Sequence, residues 1–146
     1  MKFSDVSQSS WQELRPYVDT CLLPVTGLTG SEKPWEAVQA LEELRDALDC
    51  FEIPYKGRVL TYPAYHYTLG EETSQMLKVV CSNLRANGFR YIVIISAKSE
   101  LESLLMNEEA DLFFTLTKEQ LSNSMPSVKE QISNQLQQLW LKKIES

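Results

Sequence analysis

The sequence predicts an α/β fold, one three-layer domain over residues 1–146 with a mainly parallel sheet of about four strands flanked by helices. Three observations predict it. Short apolar runs alternate with amphipathic helical stretches along the whole chain. The run Tyr91-Ile92-Val93-Ile94-Ile95 is continuously apolar, which marks a strand covered on both faces. With 146 residues, 43% of them hydrophobic and 23% charged, the chain is long and apolar enough for a real core. At this size folding removes roughly 70% of the unfolded surface from water.

Each element follows in order. After a polar start, Ser10–Val18 reads as a short helix presenting Trp11, Leu14 and Val18. Thr20–Val25 is a brief apolar run stopped by Pro24 and the loop Thr26–Ser31, hence a buried strand. Pro34 opens the next helix, where its missing N–H does no harm. Val38, Leu41, Leu44, Leu48 and Phe51 then recur at spacings of three and four and form an apolar stripe. Glu36, Glu42, Glu43, Asp46 and Asp49 fill the other faces as a solvated surface.

Arg58–Tyr62 is rich in strand-forming residues and ends at Pro63, which makes it the second strand. Thr68 and Glu71 have the spacing of a capping box. The helix after them presents Met76, Leu77, Val80, Cys81 and Leu84 and closes at Asn87–Gly88. Arg90–Ser96 is the third strand. Ser99 and Glu102 repeat the capping spacing ahead of Leu101, Leu104, Leu105 and Met106. Asp111–Thr115 is the fourth strand. Ser127 and Glu130 start a last helix that buries Val128, Ile132, Leu136, Leu139 and Trp140. Alternation of this kind implies parallel strands joined by right-handed helical crossovers.

Charge and cysteine content narrow the setting. Fourteen basic against twenty acidic side chains leave a net charge of −6, all of it in residues 1–73. An acidic half with no basic stripe elsewhere disfavours nucleic acid as a partner. No apolar run is long enough to span a bilayer, and Met1–Asp5 turns polar at once, unlike a secretory leader. Cys21, Cys50 and Cys81 are odd in number and far apart in apolar segments, as buried reduced thiols of a cytoplasmic protein are.

In an open parallel sheet, ligands bind beyond the carboxyl ends of the strands. That rule selects the loops Pro24–Ser31, Pro63–Gly70, Ser96–Ser99 and Thr115–Lys118. In the first, Thr26, Gly27, Thr29 and Ser31 are small or hydroxylated residues ahead of a helix, able to wrap an anion with their amides. Thr26-Gly27-x-Thr29 partly resembles the phosphate loop of flavodoxins, although Pro24 stands where that loop starts with Ser or Thr. A plain strand-to-helix turn accounts for the same residues. The second loop holds Tyr65 and the chain's one histidine, His66, in an aromatic cluster suited to a planar ligand or a partner's side chain. The tyrosines packing over the sheet's end, hydroxyls wet, is the simpler alternative. One histidine without a Cys or His partner at ligand spacing makes no zinc site. In the third loop Lys98 follows the central strand, either holding an acidic ligand or simply solvated.

At Tyr17-Val-Asp-Thr20, Leu22-Leu-Pro-Val25, Lys56-Gly-Arg-Val59 and Tyr62-Pro63 the chain resembles the YpiF-like proteins of bacilli, small cytoplasmic proteins with no assigned activity. More distantly, Leu-Pro-Val after strand one, a Pro after strand two and Gly88-Phe89-Arg90-Tyr-Ile-Val-Ile-Ile95 are similar to the creatininase-type amidohydrolases. That family carries a Glu-x-His metal pair in its first loop and a histidine loop after the central strand. Here Thr29 and Ser31 stand near the first, and Ser96-Ala97-Lys98 replaces the second. Hydroxyls and an ammonium do not hold a divalent metal in their stead. The resemblance therefore implies a shortened scaffold without the metal chemistry.

The expectation is a non-catalytic cytoplasmic domain that binds a protein partner or itself, with no metal and no cofactor. A small-ligand domain or enzyme using Thr26, Gly27, Thr29, Ser31, Tyr65, His66 and Lys98 on a phosphate-like or nucleotide-like group is the alternative. A residual creatininase-type amidohydrolase is the third reading.

Overall fold

The structure, a computed structural model, describes residues 1–68, 70, 72–102 and 109–145, with only the backbone of 142–145. Among these, β1 (Thr20–Pro24), β2 (Val59–Thr61), β3 (Tyr91–Ser96) and β4 (Leu112–Thr115) form a sheet in the order β2-β1-β3-β4. Every pairing is parallel, with Cys21 level with Leu60, Leu22 with Val93, and Ile94 with Phe113. The helices are α1 (Gln8–Leu14), α2 (Pro34–Glu52), α3 (Glu72–Ala86) and α4 (Lys118–Glu145).

The strands divide the core by their period of two. Leu22, Tyr91, Val93, Ile95 and Phe114 face α2 and α4. Cys21, Leu23, Ile92 and Ile94 face α3, with Trp11 and Leu14 of α1 packed at the rim. Tyr91 to Ile95 are wholly buried, and each such large side chain stabilises the fold by about 1.5–3 kcal/mol. This is the predicted three-layer α/β arrangement. The path from β1 out to β2 and back across to β3 reverses direction, so crossovers of one hand put α2 and α3 on opposite faces. The reversal leaves a switch point between the carboxyl ends of β1 and β3. At one edge of the sheet the Thr61 N–H donates to the Met1 carbonyl at 2.9 Å, so the N-terminus covers β2.

Several local expectations shift. The first helix is Gln8–Leu14 rather than Ser10–Val18, because Ser7 and Ser10 cap it reciprocally. Helix α2 buries Ala40, Leu44, Ala47 and Phe51, and leaves Val38 and Leu41 of the expected stripe exposed. At 100° per residue Ala40, Leu44, Ala47 and Phe51 fall within roughly 60° of the helix surface, flanked by the buried Cys50 and Glu52, whereas the expected stripe drifts over about 140°. Met76 of α3 is likewise exposed, and Thr73 takes the buried place one turn earlier. Gly88 ends α3 as expected, in a left-handed conformation (φ 110) that a side chain would resist.

Ser99–Leu101 is a 3-10 turn with Lys98 at the N-cap position and no side-chain cap, so Ser99 lies inside the turn. Leu104, Leu105 and Met106, and the Glu71 half of the first capping pair, lie outside the described residues. Helix α4 starts at Lys118, not Ser127. Thr117 and Gln120 exchange backbone-to-side-chain bonds of 3.2 and 2.9 Å and cap it. The helix is then broken at Ser124 (φ −139, ψ 32), two residues before Pro126.

Candidate functional site at the strand ends

All seven residues singled out from the sequence lie at or beyond the carboxyl ends of the strands, and five of them gather at the switch point. Val25 continues β1, its N–H donating to the Ile95 carbonyl of β3 at 2.9 Å. The next loop is stitched to it. Tyr65 N–H donates to the Pro24 carbonyl at 2.8 Å, and Thr26 N–H to the Tyr65 carbonyl at 3.0 Å. The buried Thr26 hydroxyl accepts from Leu28 N–H at 3.4 Å and stands 3.3 Å from His66 Nδ1. His66 also lies beside Tyr67, a bulky exposed residue held at positive φ (59).

From the other side, Lys98 reaches over the crevice and its Nζ donates to the Gly27 carbonyl at 3.3 Å. Gly27 has φ +75, and a Cβ placed there would stand 2.7 Å from Leu101 Cδ1 and 2.9 Å from Lys98 Cδ. The crevice between β1 and β3 is thus occupied by Leu101 and the stem of Lys98. Thr26, Gly27, Tyr65, His66 and Lys98 come together by closing on one another.

Thr29 and Ser31 lie farther out on the exposed part of the loop, their hydroxyls 2.7 Å apart. The Thr29 amide donates to Glu32 Oε1 at 2.7 Å and Oε2 at 2.9 Å, the Thr29 hydroxyl to Oε2 at 2.9 Å, and the Gly30 amide to Oε1 at 3.1 Å. The Thr29 and Gly30 amides and the Thr29 hydroxyl thus converge on a carboxylate of the chain itself, that of Glu32. These donors, the Thr29 amide foremost, hold the Glu32 carboxyl below the usual carboxylate range.

Glu32 and Leu101 were not among the expected site residues. Glu32 lies one residue past the chosen loop, yet Thr29-x-x-Glu32 has the spacing of a reciprocal hydroxyl–carboxylate pair. Leu101 carries no such signal, since a leucine ahead of an amphipathic stretch reads as core.

The remaining chemistry is muted. Among the described residues no three His, Cys, Asp or Glu side chains stand close enough to hold a metal ion. Cys21, Cys50 and Cys81 are buried thiols, none in a disulfide. Burial, with Cys81 nearby, pushes the Cys21 thiol far above its ordinary value, which suppresses the thiolate a nucleophile needs. Among the described residues no helix is long and apolar enough to cross a membrane.

The family described as "Protein of unknown function (DUF2487)" matches residues 9–143. No curated protein and no solved structure matches the chain.

Proposed function

From the premise that the chain belongs to this family of unknown function, we propose that it is a non-catalytic α/β domain that works in the cytoplasm by binding a protein partner or a second copy of itself. One observation carries the reading. The two places where this topology takes small ligands, the crevice at the switch point and the amide cradle before α2, are filled by Lys98, Leu101 and Glu32 of the chain itself. The outer side of α2 meanwhile keeps Trp35 (65% exposed), Val38 and Leu41 in contact with water. Three buried thiols in no disulfide suit a reducing compartment. The motifs around Tyr17–Val25 and Lys56–Pro63 support counting the chain among the YpiF-like proteins of bacilli. The creatininase-type reading has only the order of its motifs behind it.

A thermal-shift screen against FMN, nucleotides and sugar phosphates, beside elemental analysis of protein purified without added metal, tests this. The proposal expects a flat screen and no stoichiometric metal. Selective stabilisation lost in Thr29→Glu, which adds negative charge to the cradle, overturns it in favour of a ligand-binding domain. Stoichiometric zinc or manganese overturns it in favour of a hydrolase.

A further inference from the structure

A groove of about 440 Å³ runs between α2 and α4, lined by neither Gly27 nor Glu32 of the loops described above. Its floor is apolar, built from Cys50, Leu121 and Met125, with Ile53 and Pro54 at one end. Its two walls differ in sign. Glu43, Asp46 and Asp49 rise along α2, and Lys118 and Lys129 along α4.

Opposite charges facing each other across a narrow gap would normally pair. Here the ion pairs among the described residues are Arg45–Asp46, Arg58–Asp19 and Arg85–Asp111, and none of them spans the groove. The break at Ser124 falls between Ser122 and Met125 of the α4 wall, and the apolar floor lies between the two charged rows. Ile53 is 72% exposed at the mouth, and methionine on the floor can adapt to whatever covers it.

We infer that this groove receives an amphipathic helix of a partner protein, with an apolar stripe on the floor, a Lys/Arg flank against α2 and an Asp/Glu flank against α4. This rests on the proposed function and names the partner's chemistry. Along the α2 wall, Glu43 to Ile53 extends about 15 Å at 1.5 Å per residue, so the bound segment has about three turns. Recognition of this type places apolar side chains at spacings of three and four into the groove and lets rim charges set direction. A small apolar molecule would cover the floor and make no use of Glu43 and Asp49 on one wall or Lys118 and Lys129 on the other. The exposed ridge of a second copy's α2 is flanked by Glu36 and Glu42 and would meet like charge at the α2 wall.

The test uses the full chain and a labelled helical peptide of about four turns, with Leu on one face, Lys along one flank and Glu along the other. Anisotropy follows binding while methyl NMR follows Met125. The expected result is saturable binding that shifts the Met125 methyl. Asp46→Lys with Asp49→Lys, or Lys118→Glu with Lys129→Glu, should each weaken it at least about tenfold. All four changes together should restore it, with the peptide reversed. Absence of saturable binding, or binding that leaves Met125 unmoved or ignores the charge pairs, overturns the inference. The wild-type NMR arm decides even where a variant fails to fold. A cellular partner that cross-links through Trp35 and not through the groove ends this inference while sparing the protein-binding reading. Saturable binding of FMN or a sugar phosphate at Gly27 and Thr29 ends that reading instead.

Discussion

The Lys98 ammonium donates to the Gly27 carbonyl at 3.3 Å, across the point where the strand order reverses. Both residues were selected from the sequence as ligand groups, and each is the other's partner. Their pairing, with Leu101 packed beneath, makes the closed crevice part of the fold's stability.

Gly27→Ala should therefore destabilise the protein by about 1–3 kcal/mol, combining left-handed strain with overpacking against Leu101. Gly30→Ala, at φ +93 but facing open space, carries the strain alone and should cost less. Urea denaturation of the two variants checks the order. Equal losses would mean that Leu101 does not fill the crevice.

Acid should loosen the first loop before the sheet. The folded state depresses the Glu32 carboxyl, so it binds fewer protons there than the unfolded chain does. The contribution of this group is fully present above the unfolded value, about 4.3. It is lost as pH falls through the lowered folded value. In Glu32→Gln that part of the pH dependence should vanish. The Thr29 and Gly30 amide shifts, followed from neutral to acid pH, give the measurement, and an unchanged titration in the variant would refute the assignment.

Trp140 should anchor the C-terminal helix. Its indole N–H donates to the Thr20 hydroxyl at 3.0 Å, and the Arg58 guanidinium, forked onto Asp19, lies 3.9 Å over its ring. Trp140→Phe removes one buried hydrogen bond and should cost about 1–2 kcal/mol. Trp140→Ala should cost about 3–5 kcal/mol. A double-mutant cycle with Arg58→Met should return a coupling of about 0.5–2 kcal/mol, and additive losses would place the stacking outside the stability of the fold.

The thiols should resist reagents while the protein is folded. Cys21 and Cys81 are fully buried, and burial raises the Cys50 thiol despite Lys129 nearby. Mass spectrometry after timed alkylation should find Cys50, at the groove floor, modified before the other two, and all three at once after denaturation. Early modification of Cys21 would contradict the packing of β1.

How much could be read in advance depended on how local each cause was. Tyr91–Ile95 announced a central strand because continuous apolarity has one common solution in an alternating α/β chain. Gly88 announced a helix end for the same local reason. The face of α2 was misread because Ala40 and Ala47 are small, and a rule that counts large apolar residues passes over the alanines that let a helix sit close to a sheet. The start of α4 was readable in Thr117-x-x-Gln120 but lost to the later Ser127–Glu130 pair. Thr26, Gly27, Tyr65, His66 and Lys98 could be picked out because each follows the carboxyl end of a strand. What they do to one another was not legible, because Lys98–Gly27 and Thr26–His66 join segments far apart in sequence.

The central claim is that the chain's own side chains occupy the ligand positions at the strand ends. An amide NMR titration of the intact protein with FMN and with inorganic phosphate tests it most directly. The account predicts that Gly27, Thr29, Gly30 and Lys98 stay unshifted in the wild type up to millimolar ligand. Saturable shifts at those four amides, with Glu32 displaced, would contradict it.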